Sequence, residues 1–150
     1  ISKRIGDDTR MNHECTMADI QAHPVNAVLL SWLHGRADVT VVLEASCEIL
    51  RGFSDDLPGC VCMPCHGAAL LAAPKGILFA AAVDQDAVAF RLPENQWLTA
   101  HAAGATHRPE LGAAWMSFPL TGPDAMADRW MQELRYWCVI AHTSAVNLDV

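Results

Sequence analysis

The chain has 150 residues, of which 52% are hydrophobic and 18% charged, a composition that favours one globular domain with a substantial core. Ten basic and 17 acidic side chains give a formal net charge of -7, which disfavours a nucleic-acid partner because the phosphate backbone would be repelled. Pro74 and Lys75 interrupt the most apolar stretch, so we expect no membrane span and no membrane partner.

The N-terminal segment is polar and lacks the apolar core of a secretory signal. We predict a polar arm over residues 1–22 and a single domain over residues 23–150. The chain does not begin with Met, so the sequence leaves open whether the residues before Met11 are native. Six cysteines would permit disulfides, but a chain of this size and apolar content does not need them. We therefore expect reduced thiols and a cytoplasmic location.

Two helices are predicted in the first third of the chain. In "HPVNAVLLSWLHG", Pro24 and Gly35 mark the start and the stop, and one face carries Val25, Val28, Leu29, Trp32 and Leu33. The segment "DVTVVLEASCEILRGF" predicts a second helix, although its opening "VTVV" would suit a strand equally well. Its helical stripe consists of Val42, Leu43, Cys47, Ile49 and Leu50.

Short apolar runs after Pro58 predict a meander of antiparallel strands. The runs read "CVCMP", "GAALLAA", "GILFAAAV" and "AVAFRLP", with turn residues at Gly67, at "PKG" and at "DQD". "PENQWLTAHAAG" then predicts a helix and "AAWMSFPL" a further strand. A final helix is predicted in "GPDAMADRWMQELRYWCVIAH", with Pro123 and Asp124 in its first turn.

The order of these elements is typical of an α+β fold. We predict an antiparallel sheet of about four to five strands, packed by helices as a two-layer sandwich. One sheet face would stay open, and its strands are very apolar at Ala69, Leu71, Ile77, Phe79, Ala81, Val88 and Phe90. We therefore expect a homodimer in which a second subunit covers this face.

The segment from "LPGCVCMPCHGAALLA" through "GILFAAAV" and "DAVAFRLPE" to "AAWMSFPL" and "ADRWMQELRYW" is similar in layout to two kinds of small bacterial domain. One is the luciferase-like domain, and the other is the YjbR and TfoX N-terminal group. Both resemble it in a Pro-Gly turn, a glycine-marked strand, a hairpin, an "LP" helix start, a Trp-containing strand and a final helix. The resemblance implies a compact α/β sandwich of unsettled function, and the name of the luciferase-like domain does not imply a light-emitting reaction. Luciferase-like members carry a second glycine and histidines where this chain has Ala68 and Ala80, Ala81 and Ala82, so we do not expect an activity that depends on those histidines.

Three of the six cysteines and one histidine lie within seven residues, as Cys60, Cys62, Cys65 and His66. The string C-x-x-C-H is that of haem attachment, which would require export and helices that clasp the haem. Zinc is the stronger alternative, with His13 and Cys15 as a remote pair of ligands. Thioredoxin-type chemistry would place C-x-x-C at a helix start, whereas the residues that follow favour a strand. The simplest interpretation has no cofactor and treats the thiols as apolar side chains of a strand and turn.

Aromatic residues supply the other candidate site. Such residues on facing elements could form a cleft for a small apolar or cationic molecule, or they could be ordinary core. The candidate ligand-binding residues are Trp97, Trp115, Phe118 and His107.

No common nucleotide, hydrolase or metalloprotease motif occurs in the sequence. We therefore expect a noncatalytic domain that binds a small molecule or a protein partner, as a homodimer. The alternative is a thiol- or zinc-dependent enzyme or redox protein that uses Cys62, Cys65 and His66.

Overall fold

The fold, taken from a computed structural model, is described over residues 16–35, 44–84, 86–120 and 127–148. The helices in these ranges are α1 (Met17–Ala22), α2 (Ala27–His34), α3 (Glu44–Ser54), α4 (Trp97–Ala102) and α5 (Ala127–Val146). Short 3-10 turns at Pro24–Asn26 and Glu94–Gln96 precede α2 and α4. The strands are β1 (Val61–Cys65), β2 (Ala68–Ala72), β3 (Leu78–Asp84), β4 (Ala87–Arg91), β5 (Thr106–His107) and β6 (Trp115–Pro119).

These strands form one antiparallel sheet in the order β1-β2-β3-β4-β6-β5. The α+β class and the antiparallel sheet predicted from the sequence are therefore confirmed, with six strands instead of four to five within the described residues. The additional strand is β5, which pairs with β6 through Thr106 opposite Ser117 and His107 opposite Met116. A strand of two residues is too short to show an apolar period in the sequence.

Tight turns join the first three strands. His66 and Gly67 connect β1 to β2, and both have positive φ angles, of 49° and 84°. Two such residues are what a short antiparallel hairpin requires, and glycine adopts this conformation without strain. Between β2 and β3, Gly76 has a φ of 98° and donates its N–H to the Ala73 carbonyl at 2.8 Å. The "PKG" turn predicted from the sequence is thus confirmed.

Helices α3 and α5 cover one face of the sheet. Their buried residues, including Leu50 and Trp137, pack with the side chains of alternate strand positions such as Leu71, Val88 and Phe90. A bulge in β3 changes the alternation, since Leu71 lies opposite Ala80 and Ala72 opposite Leu78. Phe79 and Ala80 consequently both contribute to this α3 and α5 cluster.

The opposite face of the sheet is covered within the same chain. Ile20 of α1 and Leu29 and Leu33 of α2 are buried against a second cluster that includes Leu70 and Leu78. The expectation of an open apolar face is therefore wrong for the described residues. All seven residues named for that face are buried, at 4% exposure or less; six of them lie in the α3 and α5 cluster, and Ala81 lies in the α1 and α2 cluster.

Helix α1 lies inside the range predicted as a polar arm. Thr16 caps it, because the Thr16 hydroxyl accepts from the Asp19 N–H while the Asp19 carboxylate accepts from the Thr16 N–H. The predicted stripe residues Val42 and Leu43, and Pro123 and Asp124 of the last helix, lie outside the described residues. Across the described ranges, no helix combines the length and apolar character that a membrane span requires.

Candidate functional site

The cysteines of the β1 segment face two different sides of the sheet. Cys60 and Cys62 pack against the α3 and α5 cluster, whereas Cys65 packs against the α1 and α2 cluster. This separation follows from the alternation of side chains along a strand. In the part of the chain that the structure describes, no three His, Cys, Asp or Glu side chains are grouped so that they could hold a metal ion. The proposed remote ligands His13 and Cys15 lie outside that part.

His66 occupies the first position of the β1–β2 hairpin turn. Its side chain is exposed, and its ring lies edge-on to the ring of His34, with centroids 5.8 Å apart. The positive φ angles of His66 and Gly67 show that the string "CHG" forms a two-residue turn. A turn of this kind forms without haem or zinc.

Burial keeps the described thiols protonated. It raises the pKa of Cys60 and of Cys138 to about 12. Burial also raises the pKa of Cys47, Cys62 and Cys65, and the nearby Arg51 offsets only part of the effect at Cys47 and Cys62. Because the thiolate is the nucleophile and the metal ligand, these groups are poorly suited to either role at neutral pH.

The four candidate ligand residues do not share one cleft. Trp97 and His107 are in contact, with ring centroids 4.8 Å apart and perpendicular planes. Phe118 is fully buried in the α3 and α5 cluster, between Phe90 and Trp137. Trp115 is buried on the other face of the sheet.

In the contact between Trp97 and His107, the indole N–H makes a hydrogen bond, whereas one imidazole nitrogen makes none among the described residues. The Trp97 indole N–H donates to the Leu92 carbonyl at 2.9 Å, which fixes the ring beside the end of β4. Nε2 of His107 is buried and has no hydrogen-bond partner among the described residues. His101 lies on the outer side, with its ring centroid 6.1 Å from that of His107. The three rings form a small aromatic patch.

A groove that the sequence analysis missed lies between residues 93–96 and the C-terminal half of α5. Its volume is about 520 Å³, within the range of small-molecule sites. The lining residues are Pro93, Asn95, Gln96, Val139, Ile140, Thr143, Ser144, Asn147 and Leu148. One wall consists of two rows at i, i+4 and i+8 that begin at Val139 and Ile140 of α5 and end at Asn147 and Leu148, just past the helix.

The lining of this groove is uncharged but rich in hydrogen-bonding groups. Amide side chains come from Asn95, Gln96 and Asn147, and hydroxyls come from Thr143 and Ser144. Amides and hydroxyls can both donate and accept hydrogen bonds. The remaining lining is aliphatic or proline. Such a surface suits an uncharged molecule that has both polar groups and an apolar body.

Comparison of the chain with family models, with curated proteins and with solved structures finds no match. The resemblance to luciferase-like and YjbR or TfoX domains therefore stays a prediction.

Proposed function

We propose that this protein is a noncatalytic binding domain that holds a small uncharged ligand in the groove between residues 93–96 and α5. The proposal rests on one observation, the composition of the groove wall. None of the nine lining residues is charged, although the chain carries a net charge of -7. A ligand without charge can enter this groove without leaving an ionic group desolvated and unpaired.

The groove favours an uncharged ligand over the cationic one considered from the sequence. A cation would need a carboxylate or an aromatic face, and the lining residues offer neither. Apolar parts of a ligand would contact Val139, Ile140 and Leu148, and its polar groups would meet Asn95 and Thr143. A largely apolar molecule with a few neutral polar groups fits both sets.

The thiol- or zinc-dependent alternative is less well supported. Cys62 and Cys65 face opposite sides of the sheet, and burial raises the pKa of both thiols. His66 is held in an exposed turn. An enzyme of this type would need these three side chains to converge on one reacting centre.

We also propose that the domain acts as a homodimer in the cytoplasm. Since both sheet faces are covered within one chain, support for pairing comes instead from the outer face of α5. Tyr136, Val139 and Val146 of this helix are 54%, 43% and 40% exposed. Five free cysteines among the described residues suit a reducing compartment.

A thermal-shift screen with uncharged small molecules tests the ligand proposal. A compound that binds only the folded state raises the melting temperature, so the screen should return compounds that do so. Asn95→Asp introduces a carboxylate into the groove and should weaken binding of these compounds about ten-fold or more. Gln132→Glu makes the same chemical change at an exposed site of α5 outside the lining, and it should leave binding unchanged.

Two results would count against the proposal. One is a broad library in which no compound raises the melting temperature. The other is a set of compounds that bind the Asn95→Asp variant as tightly as the wild type, because their site would then lie elsewhere.

A further inference from the structure

Residues 139–148 are attached to the core by small side chains and one imidazole. We call this range, which comprises the end of α5 and the two residues after it, the end segment. Its buried residues are Ala141, His142 and Ala145. The preceding turns of α5 bury Leu134 and Trp137 instead. Because a buried alanine removes little apolar area from water, the attachment of the end segment depends strongly on His142.

One side of α5 runs along the segment that precedes β1. Arg135 pairs with Asp56, and one ring nitrogen of His142 donates to the Pro58 carbonyl. Residues 135 and 142 are two helical turns apart, so they face the same side of α5. The ring of His142 also meets Phe79 of β3 edge-on, with centroids 5.2 Å apart. His142 therefore ties the end segment both to the loop before β1 and to the sheet.

The end segment is also one wall of the ligand groove. It supplies the lining residues Val139, Ile140, Thr143, Ser144, Asn147 and Leu148. Thr143 follows His142 directly in the sequence. A movement that takes the His142 ring out of the core must therefore carry this wall away from residues 93–96.

The surroundings of His142 suit a neutral ring and not a charged one. The residue is 8% exposed, and Nε2 has no hydrogen-bond partner among the described residues. An imidazolium donates from both ring nitrogens, so its N–H at Nε2 would be buried without an acceptor. A buried charge without a partner is costly.

No nearby group compensates for such a charge. The titratable side chains on the elements packed around His142 are exposed acids, members of ion pairs or protonated thiols. They are Asp55, Asp56 with Arg135, Asp84 with Arg108, Cys60 and Cys138. No carboxylate is buried among the described residues, so none can pair with an imidazolium inside the core.

We propose that the end segment leaves the core when His142 takes up a proton from solvent, so that acidification opens the ligand groove. That this opening releases a ligand rests on the proposed function, whereas the movement itself does not. Local opening costs less than unfolding of the whole chain, because the end segment buries little apolar surface. Burial lowers the pKa of His142 below its ordinary value of 6.5, so the closed form is neutral and the open form gains the proton as the pH falls.

Hydrogen exchange of the full chain without ligand, followed by mass spectrometry at about pH 8 and about pH 5, tests the movement. After correction for intrinsic exchange rates, the amides of the end segment should lose protection about ten-fold at the lower pH. Their exchange should not accelerate in urea below the unfolding transition, because a local opening exposes little surface. The amides of α3 should be better protected, and their exchange should accelerate as urea is added.

His142→Gln can still donate to the Pro58 carbonyl but has no proton to gain, so its end segment should keep the same protection at both pH values. His34→Gln is the matched control, since His34 is exposed at the end of α2, and it should behave as the wild type. Circular dichroism should show native helicity in both variants.

Two results would overturn the proposal. If the end segment and α3 of the wild type show the same protection and the same dependence on urea, α5 leaves the core only when the whole chain unfolds, and no variant is needed to show it. An equal loss of protection in the wild type and in His142→Gln would mean that another group drives the change. A screen that finds no ligand would remove the proposed function alone, because hydrogen exchange measures the opening without a ligand.

Discussion

Asn26 is a buried polar residue that ties the first two helices to the sheet. Its side-chain amide donates to the Ile20 carbonyl at 2.7 Å and to the Gly76 carbonyl at 2.8 Å. Its side-chain oxygen accepts from the Leu78 N–H at 3.0 Å. Asn26→Asp keeps the shape but turns the donor into an oxygen that faces two carbonyls. We expect the free energy of unfolding to fall by about 2–4 kcal/mol, because several buried polar groups lose their partners.

Urea denaturation followed by tryptophan fluorescence measures this loss. Asn95→Asp is the control, since Asn95 is exposed and makes none of these contacts. The control should change stability by no more than about 0.5 kcal/mol. If both variants were equally stable, the Asn26 hydrogen bonds would not anchor the helices.

The thiols of Cys60 and Cys138, which pack with the α3 and α5 cluster, should react very slowly with alkylating reagents in the folded protein. Burial raises the pKa of Cys60 and Cys138 to about 12, so few of these groups are thiolates at pH 8. We expect iodoacetamide to modify both at least about 100-fold more slowly in the folded chain than in urea. Peptide mass spectrometry at successive times separates the six cysteines. Rapid modification of Cys60 that levels off near pH 9 would contradict this and would favour the thiol-dependent alternative.

At the scale of elements, local sequence patterns predicted the helices and strands that show a hydrophobic period or are bounded by Pro and Gly. The predicted helices at α2, α3, α4 and α5 and the strands β1 to β4 and β6 are confirmed within the described residues. Helix α1 was missed because its six residues bury only Ile20, which gives no stripe. Its one local signal is the capping pair Thr16 and Asp19.

The ligand groove could not be predicted from any local pattern. It forms where the turn around Asn95 and Gln96 meets α5, and these segments are distant in the sequence. The aromatic residues gave a more obvious signal, yet Phe118 and Trp115 are used as core on opposite faces. The absence of charge from residue 136 to residue 148 was the only indication that the end of α5 has an unusual surface.

Arg108 joins three elements on the face of the sheet covered by α1 and α2. Its guanidinium pairs with Asp84 at the end of β3 and with Glu110 at 2.6 Å, and it lies 5.9 Å from the ring centre of Trp32 on α2. The side chain of Arg108 is only 18% exposed, so these contacts are partly shielded from solvent. We expect Arg108→Gln to lower the free energy of unfolding by about 1 kcal/mol, since Asp84 and Glu110 lose this partner but stay 35% and 42% exposed to solvent.

The same denaturation measurement distinguishes charge from geometry at this position. Arg108→Lys keeps the charge but loses the fork of N–H donors and should recover only part of the stability. Arg129→Gln, at an exposed position of α5, should change stability by no more than about 0.5 kcal/mol. A full recovery by lysine would show that charge alone accounts for the effect.

At the scale of the whole molecule, the apolar strands were correctly recognised but their cover was not. The β2 residues "AALLA" and the β3 residues "LFAAA" show no alternation of polar and apolar side chains, and both segments are completely buried. Continuous apolar strands indicate burial on both faces. They do not indicate whether the cover is another subunit or another part of the chain. Here Leu29 and Leu33 of α2 supply it.

His142 makes the stability of the whole molecule depend on pH. It is 8% exposed, one ring nitrogen hydrogen-bonds the Pro58 carbonyl, and its ring meets Phe79 edge-on at 5.2 Å. Nε2 has no partner among the described residues, so burial lowers the pKa of His142 below its ordinary value of 6.5. The unfolded chain therefore takes up a proton before the folded chain does. Stability should fall as the pH decreases through 6.5, and the loss should end once the folded-state pKa is passed.

Urea denaturation of the wild type and of His142→Gln, at about pH 8 and again at about pH 5, tests this dependence. Glutamine can still donate to the Pro58 carbonyl but has no proton to gain. The wild type should lose more of its free energy of unfolding over this interval than the variant does. His34→Gln, at an exposed position, should instead follow the wild type. An equal loss in wild type and His142→Gln would mean that protonation of the buried imidazole does not oppose folding, and that the docking of α5 on the Pro58 loop is insensitive to pH.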